Sequence, residues 1–170
     1  DGVATNVTFK GGAGADYAEF ELGNVNAAGG AGDDTFAFIN STANSSFGEG
    51  DTLAGGDGAD TLQIGVNGNS QTYNISETEL RNKTSFGTID LRGSSTNLTL
   101  SSDFVAAADT ANSIVVRTDK IIQTSDSDSA NSSTVLTNNG QENASTHTVN
   151  LTKLSSGQSV SFLGGSGSDR

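Results

Sequence analysis

The chain lacks cysteine, proline, methionine and tryptophan, and these absences exclude several kinds of protein. Without cysteine, neither a disulfide framework nor a thiolate zinc site can stabilise the fold. Without proline, an ordinary disordered linker is a poor description of the chain. Only 32% of the 170 residues are hydrophobic and 6% are aromatic, so a thick globular core would be hard to fill. An elongated architecture with a thin core and many turns fits better.

Basic residues and long apolar runs are also scarce. Twenty acidic and eight basic residues give a formal charge of −12, which opposes binding to nucleic acid and favours a metal cation as counterion. No apolar run approaches the ~20 residues that span a bilayer, and Asp1 opens the chain without the regions of a secretory signal, as in a mature or excised chain. We expect no nucleic-acid partner, no membrane insertion, and an extracellular or cell-surface location, where calcium is plentiful.

Glycine, by contrast, is abundant, and three glycine-rich segments share one pattern. Residues 11–19 read GGAGADYAE, residues 29–37 read GGAGDDTFA and residues 55–63 read GGDGADTLQ. Each fits the nonapeptide G-G-x-G-x-D-x-U-x, although Ala18 is small for the apolar position U. The glycines permit positive φ angles that turn carbonyl oxygens toward a common point, and the aspartate adds a carboxylate. This set of oxygen ligands predicts calcium binding.

These segments resemble the calcium-binding repeats of the RTX (repeats-in-toxin) family. The resemblance implies a parallel β-roll with two nonapeptides per turn, calcium held between successive turns, and type I secretion. In such a roll Phe36, Leu53 and Leu62 would stack in a narrow core. The loops at 11–16 and 29–34 begin 18 residues apart, so they would stack on the same side and share calcium.

The third rung of such a roll is expected near residue 47. Residues 48–54 read GEGDTLA and place Asp51 seventeen residues after Asp34, which we interpret as a shortened rung on the first side. The loop at 55–60 would then lie on the opposite side, facing the segment at 39–44. That segment lacks the motif, so calcium is expected chiefly on the first side.

The end of the chain repeats its beginning. Residues 159–169, SVSFLGGSGSD, match residues 6–16, NVTFKGGAGAD, at six of eleven positions. Either the chain is one period of a longer tandem protein, or the next subunit completes the terminal loop, and both interpretations imply a head-to-tail arrangement. The alternative is that a similar turn simply ends the chain.

The predicted calcium ligands are glycines and aspartates of all five loops. They are Gly12, Gly14, Asp16, Gly30, Gly32, Asp33, Asp34, Gly48, Gly50, Asp51, Gly56, Asp57, Gly58, Asp60, Gly165, Gly167 and Asp169. The pair Asp126 and Asp128 has the spacing of some calcium loops but lacks their glycine, and an acidic surface loop is favoured there.

The sequence pattern of the remaining chain predicts short strands separated by polar turns. The strands are expected at 71–75, 88–91, 97–100, 113–117, 134–136, 146–151 and 159–163. Helical turns are expected at 76–82, where Ser76 and Glu79 have the spacing of a capping box, and at 102–109. The predicted fold is all-β and elongated. A β-roll at 1–64 precedes a polar β-rich solenoid or sandwich at 65–158, and a partial repeat follows at 159–170.

Catalysis is not expected. The only histidine, His147, lies in an alternating stretch typical of a strand, and no serine lies in a G-x-S-x-G elbow. The favoured function is a calcium-binding structural module of a secreted bacterial surface layer or filament, associating head to tail or as tandem copies. The alternatives are an adhesin domain that binds surface glycans or another surface, and a calcium-binding accessory region of a secreted enzyme or toxin.

Overall fold

The computed structural model describes residues 6–39, 47–66, 72–92, 95–118, 133–137 and 146–163. The described chain is all-β, with parallel sheets and one short helix. The elements in chain order are β1 (Asn6–Ala13), β2 (Tyr17–Phe20), β3 (Asn24–Ala31), β4 (Thr35–Phe38), β5 (Thr52–Asp57), β6 (Thr61–Ile64), β7 (Thr72–Ile75), β8 (Lys83–Thr84), β9 (Thr88–Leu91), β10 (Ser95–Thr99), α1 (Ser102–Ala106), β11 (Ser113–Thr118), β12 (Ser133–Thr137), β13 (Thr146–Asn150) and β14 (Ser159–Leu163).

The strands form three sheets. The largest has six parallel strands in the order β14-β11-β9-β6-β4-β2. The second has the parallel order β1-β3-β5-β8. The third has the order β12-β13-β10-β7, in which only the pairing of β12 with β13 is antiparallel. From β1 to β6 the chain enters the second and the six-stranded sheet alternately, so each full turn of the chain contains one strand of each sheet.

The apolar core lies along the inner faces of these sheets. In β2 and β6 every second side chain is buried, as expected for a strand with one face in a core. Phe36 in β4 pairs in register with Leu62 in β6 and with Ala18 in β2, and all three are buried. The predicted inward stacking of Phe36, Leu53 and Leu62 is therefore confirmed.

Phenylalanine rings reinforce the first part of the core. The Phe36 ring lies edge to face against those of Phe9, Phe20 and Phe86, with centroids 5.8, 5.9 and 5.8 Å apart. Such pairs add about 0.5–1.5 kcal/mol each beyond their buried area. A few large rings thus fill much of a core that has few aromatic residues to draw on.

The strand predictions for the second part are confirmed. Strands β9 and β14 have the predicted bounds, and the other five differ by one or two residues at an end. The helix at α1 is also confirmed, with Ser101 as its N-cap. At the other predicted helical turn, the Ser76 amide and hydroxyl donate to Glu79 Oε2 at 2.8 and 2.5 Å, as in a capping box.

The predicted third rung is wrong. The loop at 55–60 stacks directly on the loop at 29–34, since Gly30 pairs with Gly56 and Thr35 with Thr61. The step from the second loop to the third is thus 26 residues, whereas the step from Gly12 to Gly30 is 18. The extra residues lie in the connection between β4 and β5. Lengthening a connection between two strands adds little loop-closure free energy, so the register survives the insertion.

Candidate metal site

The three glycine-rich loops form one stack where the chain passes between the two sheets. The Gly14 amide donates to the Ala31 carbonyl and the Gly32 amide to the Asp57 carbonyl, both at 2.7 Å. Beyond the loops, the Thr35 amide donates to the Asp16 carbonyl at 2.8 Å. Backbone bonds therefore hold each loop directly on the next, and equivalent atoms of the loops line up.

Glycine is required in this stack for two reasons. The second and fourth residues of each loop have positive φ, for example 118° at Gly30 and 124° at Gly56, where residues with a Cβ atom are strained. The loops are also very close, because a Cβ atom on Gly56 would collide with the Gly30 carbonyl oxygen. The predicted positive φ angles are confirmed.

The aspartates that end the loops form a ladder. The Asp16 amide donates to Asp34 Oδ1 and the Asp34 amide to Asp60 Oδ1, both at 2.8 Å. The Asp60 amide continues the series by donating to Asp109 Oδ2 at 2.7 Å. We call Asp16, Asp34, Asp60 and Asp109 the aspartate column. The carboxylates of Asp34, Asp60 and Asp109 thus each use one oxygen to accept a hydrogen bond from the backbone of the preceding level.

The other oxygen of each carboxylate has no partner. Asp16 Oδ2, Asp34 Oδ2, Asp60 Oδ2 and Asp109 Oδ1 are buried and accept no hydrogen bond, and the residues Asp34 and Asp60 are only 1% and 0% exposed. Leaving such a group unsatisfied costs about 1–3 kcal/mol, and more when it is charged. A repeated cost of this kind suggests that a ligand satisfies these oxygens.

Burial also changes the protonation of two members of the column, Asp60 and Asp109. Burial raises the pKa of Asp60 to about 6; the hydrogen bond from the Asp34 amide opposes this rise, and the charges of Asp109, Asp34 and Asp33 add to it. Burial likewise raises the pKa of Asp109. In the described part of the chain, no lysine or arginine forms an ion pair with the column.

Asp90 is a buried carboxylate outside the column, and its charge is balanced by side chains. Asp90 is 1% exposed and also has one oxygen without a hydrogen bond. Its Oδ2, however, accepts from Arg92 at 2.6 Å and from Arg117 at 2.7 Å. Two arginines supply the positive charge there, whereas no lysine or arginine of the described chain pairs with the column.

Backbone carbonyls converge on the free carboxylate oxygens. A Cβ atom on Gly29 would collide with both Asp34 Oδ2 and the Gly55 carbonyl oxygen. One level below, a Cβ atom on Gly11 would meet Asp16 Oδ2 and the Gly29 carbonyl oxygen. Each pair of oxygens therefore approaches one small volume that only glycine leaves open. Carboxylate and carbonyl oxygens together are the ligands that hard cations such as calcium prefer.

The predicted aspartates at the variable loop positions lie outside the column. Asp33 and Asp57 are exposed, and Asp33 Oδ1 accepts from the Ala59 amide at 2.9 Å. Asp33 thus helps to hold the second and third loops together. The predicted ligands Gly165, Gly167 and Asp169, like Asp126 and Asp128, lie outside the described residues.

The loop with Gly48, Gly50 and Asp51 is not part of the stack. Asp51 Oδ1 accepts from the Val25 amide at 2.8 Å, at the opposite end of β3 from the column, and Asp51 Oδ2 accepts from the Gly48 amide at 2.8 Å. The Lys83 ammonium donates to the Gly48 and Asp51 carbonyls at 2.6 and 2.9 Å. Asp51 thus resembles the column aspartates in capping a neighbouring strand, but a lysine stands beside it.

Asp109 is the member of the column that the sequence motifs missed. It follows α1 rather than a glycine-rich loop, and no fixed offset relates it to Asp60. One short signal exists in retrospect, because Ala108-Asp109-Thr110 repeats the letters of Ala59-Asp60-Thr61. A three-residue match is too common to predict a ligand by itself.

Side chains alone do not complete a metal site here. The described residues contain no group of three or more histidine, cysteine, aspartate or glutamate side chains placed to hold one ion. At each level of the stack, carboxylates combine instead with backbone carbonyls. Any ion held there would depend on the loop conformation, and therefore on the fold.

Comparison with known proteins adds no match. No family model fits the chain, and neither the curated proteins nor the solved structures include a similar one. Among the described residues, no helix has the length and apolar character needed to cross a membrane. The function is therefore argued from the site itself.

Proposed function

We propose that the chain is a calcium-binding, non-catalytic structural module of a secreted bacterial cell-surface protein. Its fold would be an elongated β-solenoid whose first part is an RTX-like β-roll. The observation that supports this most is the row of buried carboxylate oxygens without partners, of which those of Asp16, Asp34 and Asp60 each lie beside a backbone carbonyl. The RTX resemblance of the three loops agrees with it.

Calcium suits the site better than other common metals. The ligands are all oxygens, and the chain has no cysteine and one histidine, His147, buried in β13. Zinc and the softer transition metals prefer nitrogen and sulfur. Magnesium requires a near-ideal octahedron and keeps its water, while calcium accepts irregular sets of carbonyls and carboxylates.

Calcium would act by stabilising the folded state selectively. Asp16 and Asp34 would hold an ion with the Gly29 carbonyl, and Asp34 and Asp60 would hold another with the Gly55 carbonyl. The ligands converge only when the loops are stacked, so binding free energy becomes folding free energy. In calcium-poor cytosol the acidic chain would remain extended for export, and it would fold outside the cell.

Head-to-tail association is the proposed mode of assembly. Among the described strands, β2 and β14 are the edges of the six-stranded sheet, and β1 is an edge of the second sheet. The half-buried Phe9 in β1 and Phe162 in β14 pack on the core near these edges. The large hydrophobic residues found exposed, Tyr17, Leu22 and Leu163, lie on or beside the same edges. Edges of this kind can pair with another copy.

Calcium removal tests the proposed function. Circular dichroism in calcium-free buffer should show loss of β structure, and added calcium should restore it. Electron microscopy of the calcium-loaded protein should then show linear assemblies. A β spectrum unchanged by chelator, together with no bound calcium in equilibrium dialysis, would show that the proposal is wrong.

A matched pair of variants locates the ions. Asp34→Asn removes a buried carboxylate that serves two levels, and we expect the apparent calcium affinity to fall by about tenfold or more, equivalent to about 1.4 kcal/mol. Asp57→Asn makes the same charge change at an exposed side chain of the third loop, and should change the affinity by less than about twofold. Equal effects in calorimetric titrations would place the ions elsewhere.

A further inference from the structure

The aspartate column extends one level beyond the glycine motifs. The register of β5 with β8 places Thr84 opposite Ala54, and Ser85 therefore follows as the counterpart of Gly55. A Cβ atom on Gly55 would collide with both Asp60 Oδ2 and the Ser85 carbonyl oxygen. Equivalent pairs, each of one carboxylate oxygen and one carbonyl oxygen, meet at Gly29 and at Gly11. Ser85 thus presents its carbonyl where the two lower levels use a glycine carbonyl.

The backbone of Ser85 is unusual in a way that supports this role. Its φ is 55°, one of only three positive φ values at non-glycine residues in the described chain. This left-handed conformation is costly for a residue with a Cβ atom. The cost is tolerated where surrounding structure requires it. Here the Ser85 amide donates to the Ala107 carbonyl at 2.7 Å, which ties the residue to the end of α1.

Asp109 supplies the second carboxylate of this level. Its Oδ2 accepts from the Asp60 amide and from the Gly87 amide, both at 2.7 Å. A Cβ atom on Gly87 would lie 2.9 Å from that oxygen, so a larger residue there would displace the Asp109 carboxylate from its present position. Its Oδ1 is buried without a partner, as is Asp60 Oδ2. Asp109 therefore stands to Asp60 as Asp60 stands to Asp34.

We propose that Asp60, Ser85 and Asp109 form a calcium-binding level built largely outside the glycine motifs. Asp60 Oδ2, the Ser85 carbonyl oxygen and Asp109 Oδ1 are the protein ligands, and water fills the rest of the coordination shell, as it commonly does around calcium. The inference rests on the proposed calcium function of the two lower levels. It adds an ion that the loop motif does not predict.

This level would link calcium to the folding of the second half of the chain. Asp109 lies between α1 and β11, and β11 pairs with β9 and β14. An ion shared by Asp60 and Asp109 joins this segment to the third glycine loop across 49 positions of sequence. Calcium would thus order more of the chain than the glycine loops alone.

The test counts calcium ions in matched variants. Asp109→Asn keeps an oxygen that can accept from the Asp60 and Gly87 amides but removes the charge and the second oxygen. We expect it to bind one calcium fewer per chain than the unaltered protein in equilibrium dialysis. Asp103→Asn changes an exposed aspartate of α1 and should keep the full number.

The outcomes separate this inference from the proposed function. If the unaltered chain binds calcium and Asp109→Asn binds the same number of ions, the additional level is wrong and the lower levels stand. If the unaltered chain binds none, both proposals are wrong. Should Asp109→Asn fail to fold, a crystal structure of the calcium-loaded unaltered protein decides. It must show an ion about 2.3–2.6 Å from Asp60 and Asp109 oxygens, and ions only at the lower levels would overturn the inference.

Discussion

At three levels of the column, a glycine lies beside an aspartate oxygen that has no hydrogen-bond partner, at Asp16, Asp34 and Asp60. At Gly29 the neighbouring oxygens belong to Asp34 and to the Gly55 backbone. The glycine leaves a small volume open, and the carboxylate oxygen that faces this volume has no partner. The two observations therefore describe one feature, a volume in which an ion could be held. Either one alone would have an ordinary structural explanation.

Gly29→Ala should disturb the site without changing any charge. The new methyl group would collide with Asp34 Oδ2 and with the Gly55 carbonyl oxygen, and overpacking of this kind costs about 1–3 kcal/mol. We expect the free energy of unfolding in calcium to fall by that amount, together with calcium affinity. Urea unfolding and calorimetric titration measure the two quantities.

Gly48→Ala is the matched control for this substitution. No atom lies within 4 Å of a Cβ atom built on Gly48, and its φ is not in the left-handed region. The variant should therefore keep both stability and affinity. If the two alanine variants behave alike, the volume beside Gly29 does not hold an ion.

At the scale of elements, two clusters of oxygen atoms lie at the two ends of the second sheet. At one end lies the column, where we propose calcium. At the other, Lys83 of β8 is 2% exposed and donates to the carbonyls of Gly48, Asp51 and Arg81 at 2.6, 2.9 and 3.1 Å. Its ammonium also lies 5.1 Å from the centroid of the Phe47 ring. The Lys83 ammonium thus contacts several carbonyl oxygens at once, as a bound cation would.

Lys83→Met should destabilise the fold strongly. Methionine has a similar length but no donors, so three carbonyls lose a partner, at about 1–3 kcal/mol for the buried Asp51 carbonyl and less for the part-buried carbonyls of Gly48 and Arg81. Burial lowers the pKa of Lys83 to about 8 despite the nearby charges of Asp51, Glu79 and Glu49. Burying the charge is therefore unfavourable in itself, and its removal offsets part of the lost hydrogen bonding. We expect a net loss of about 2–4 kcal/mol, measured by urea unfolding at fixed calcium.

Lys153→Met provides the comparison for Lys83. Lys153 is exposed, and surface substitutions usually change stability by less than about 0.5 kcal/mol. A Lys83→Met variant as stable as Lys153→Met would show that the three hydrogen bonds contribute little to the fold.

For the whole molecule, acidity and calcium should have linked effects on stability. The chain carries a formal charge of −12, and part of that charge is buried in the column. The pKa of Asp60 is raised to about 6 in the folded chain, compared with about 3.9 for an ordinary aspartate. The folded state therefore holds this proton more tightly than the unfolded state does.

The calcium-free protein should melt at a lower temperature at pH 7.5 than at pH 5. A raised carboxyl pKa contributes stability that is present at low pH and is lost as the pH rises through about 6. The raised pKa of Asp109 acts in the same direction. Saturating calcium should reduce the difference, because the ion replaces the proton as countercharge. Thermal melts followed by circular dichroism at both pH values measure the effect.

Variants of the third loop check the source of this pH dependence. Asp60→Asn should reduce it, since the amide does not titrate, while Asp57→Asn should leave it unchanged because that side chain is exposed. The same pH dependence in both variants would place its origin outside the column.

The sequence by itself determined most of the strands and identified three of the column aspartates as candidate ligands, although it placed the Asp60 loop on the wrong side. Alternating apolar residues predicted β9 and β14 to the residue, because a strand with one buried face has a period of two. The fixed offset between glycine and aspartate identified Asp16, Asp34 and Asp60, since both residue types are needed at one turn. The 18-residue spacing of the first two loops also predicted their register correctly.

Only the tertiary structure decided which distant segments stack. The 26-residue step between Gly30 and Gly56 could not be predicted from a constant repeat, because insertions between β4 and β5 leave the pairing of the loops intact. Asp109 reaches the column only because α1 and β11 continue the stack of β8 and β9. The periodicity of a strand and the residues of a turn are local properties, so they can be read from the sequence. The register of the strands and the contacts between aspartates far apart in sequence depend on how complete turns of the chain pack on one another.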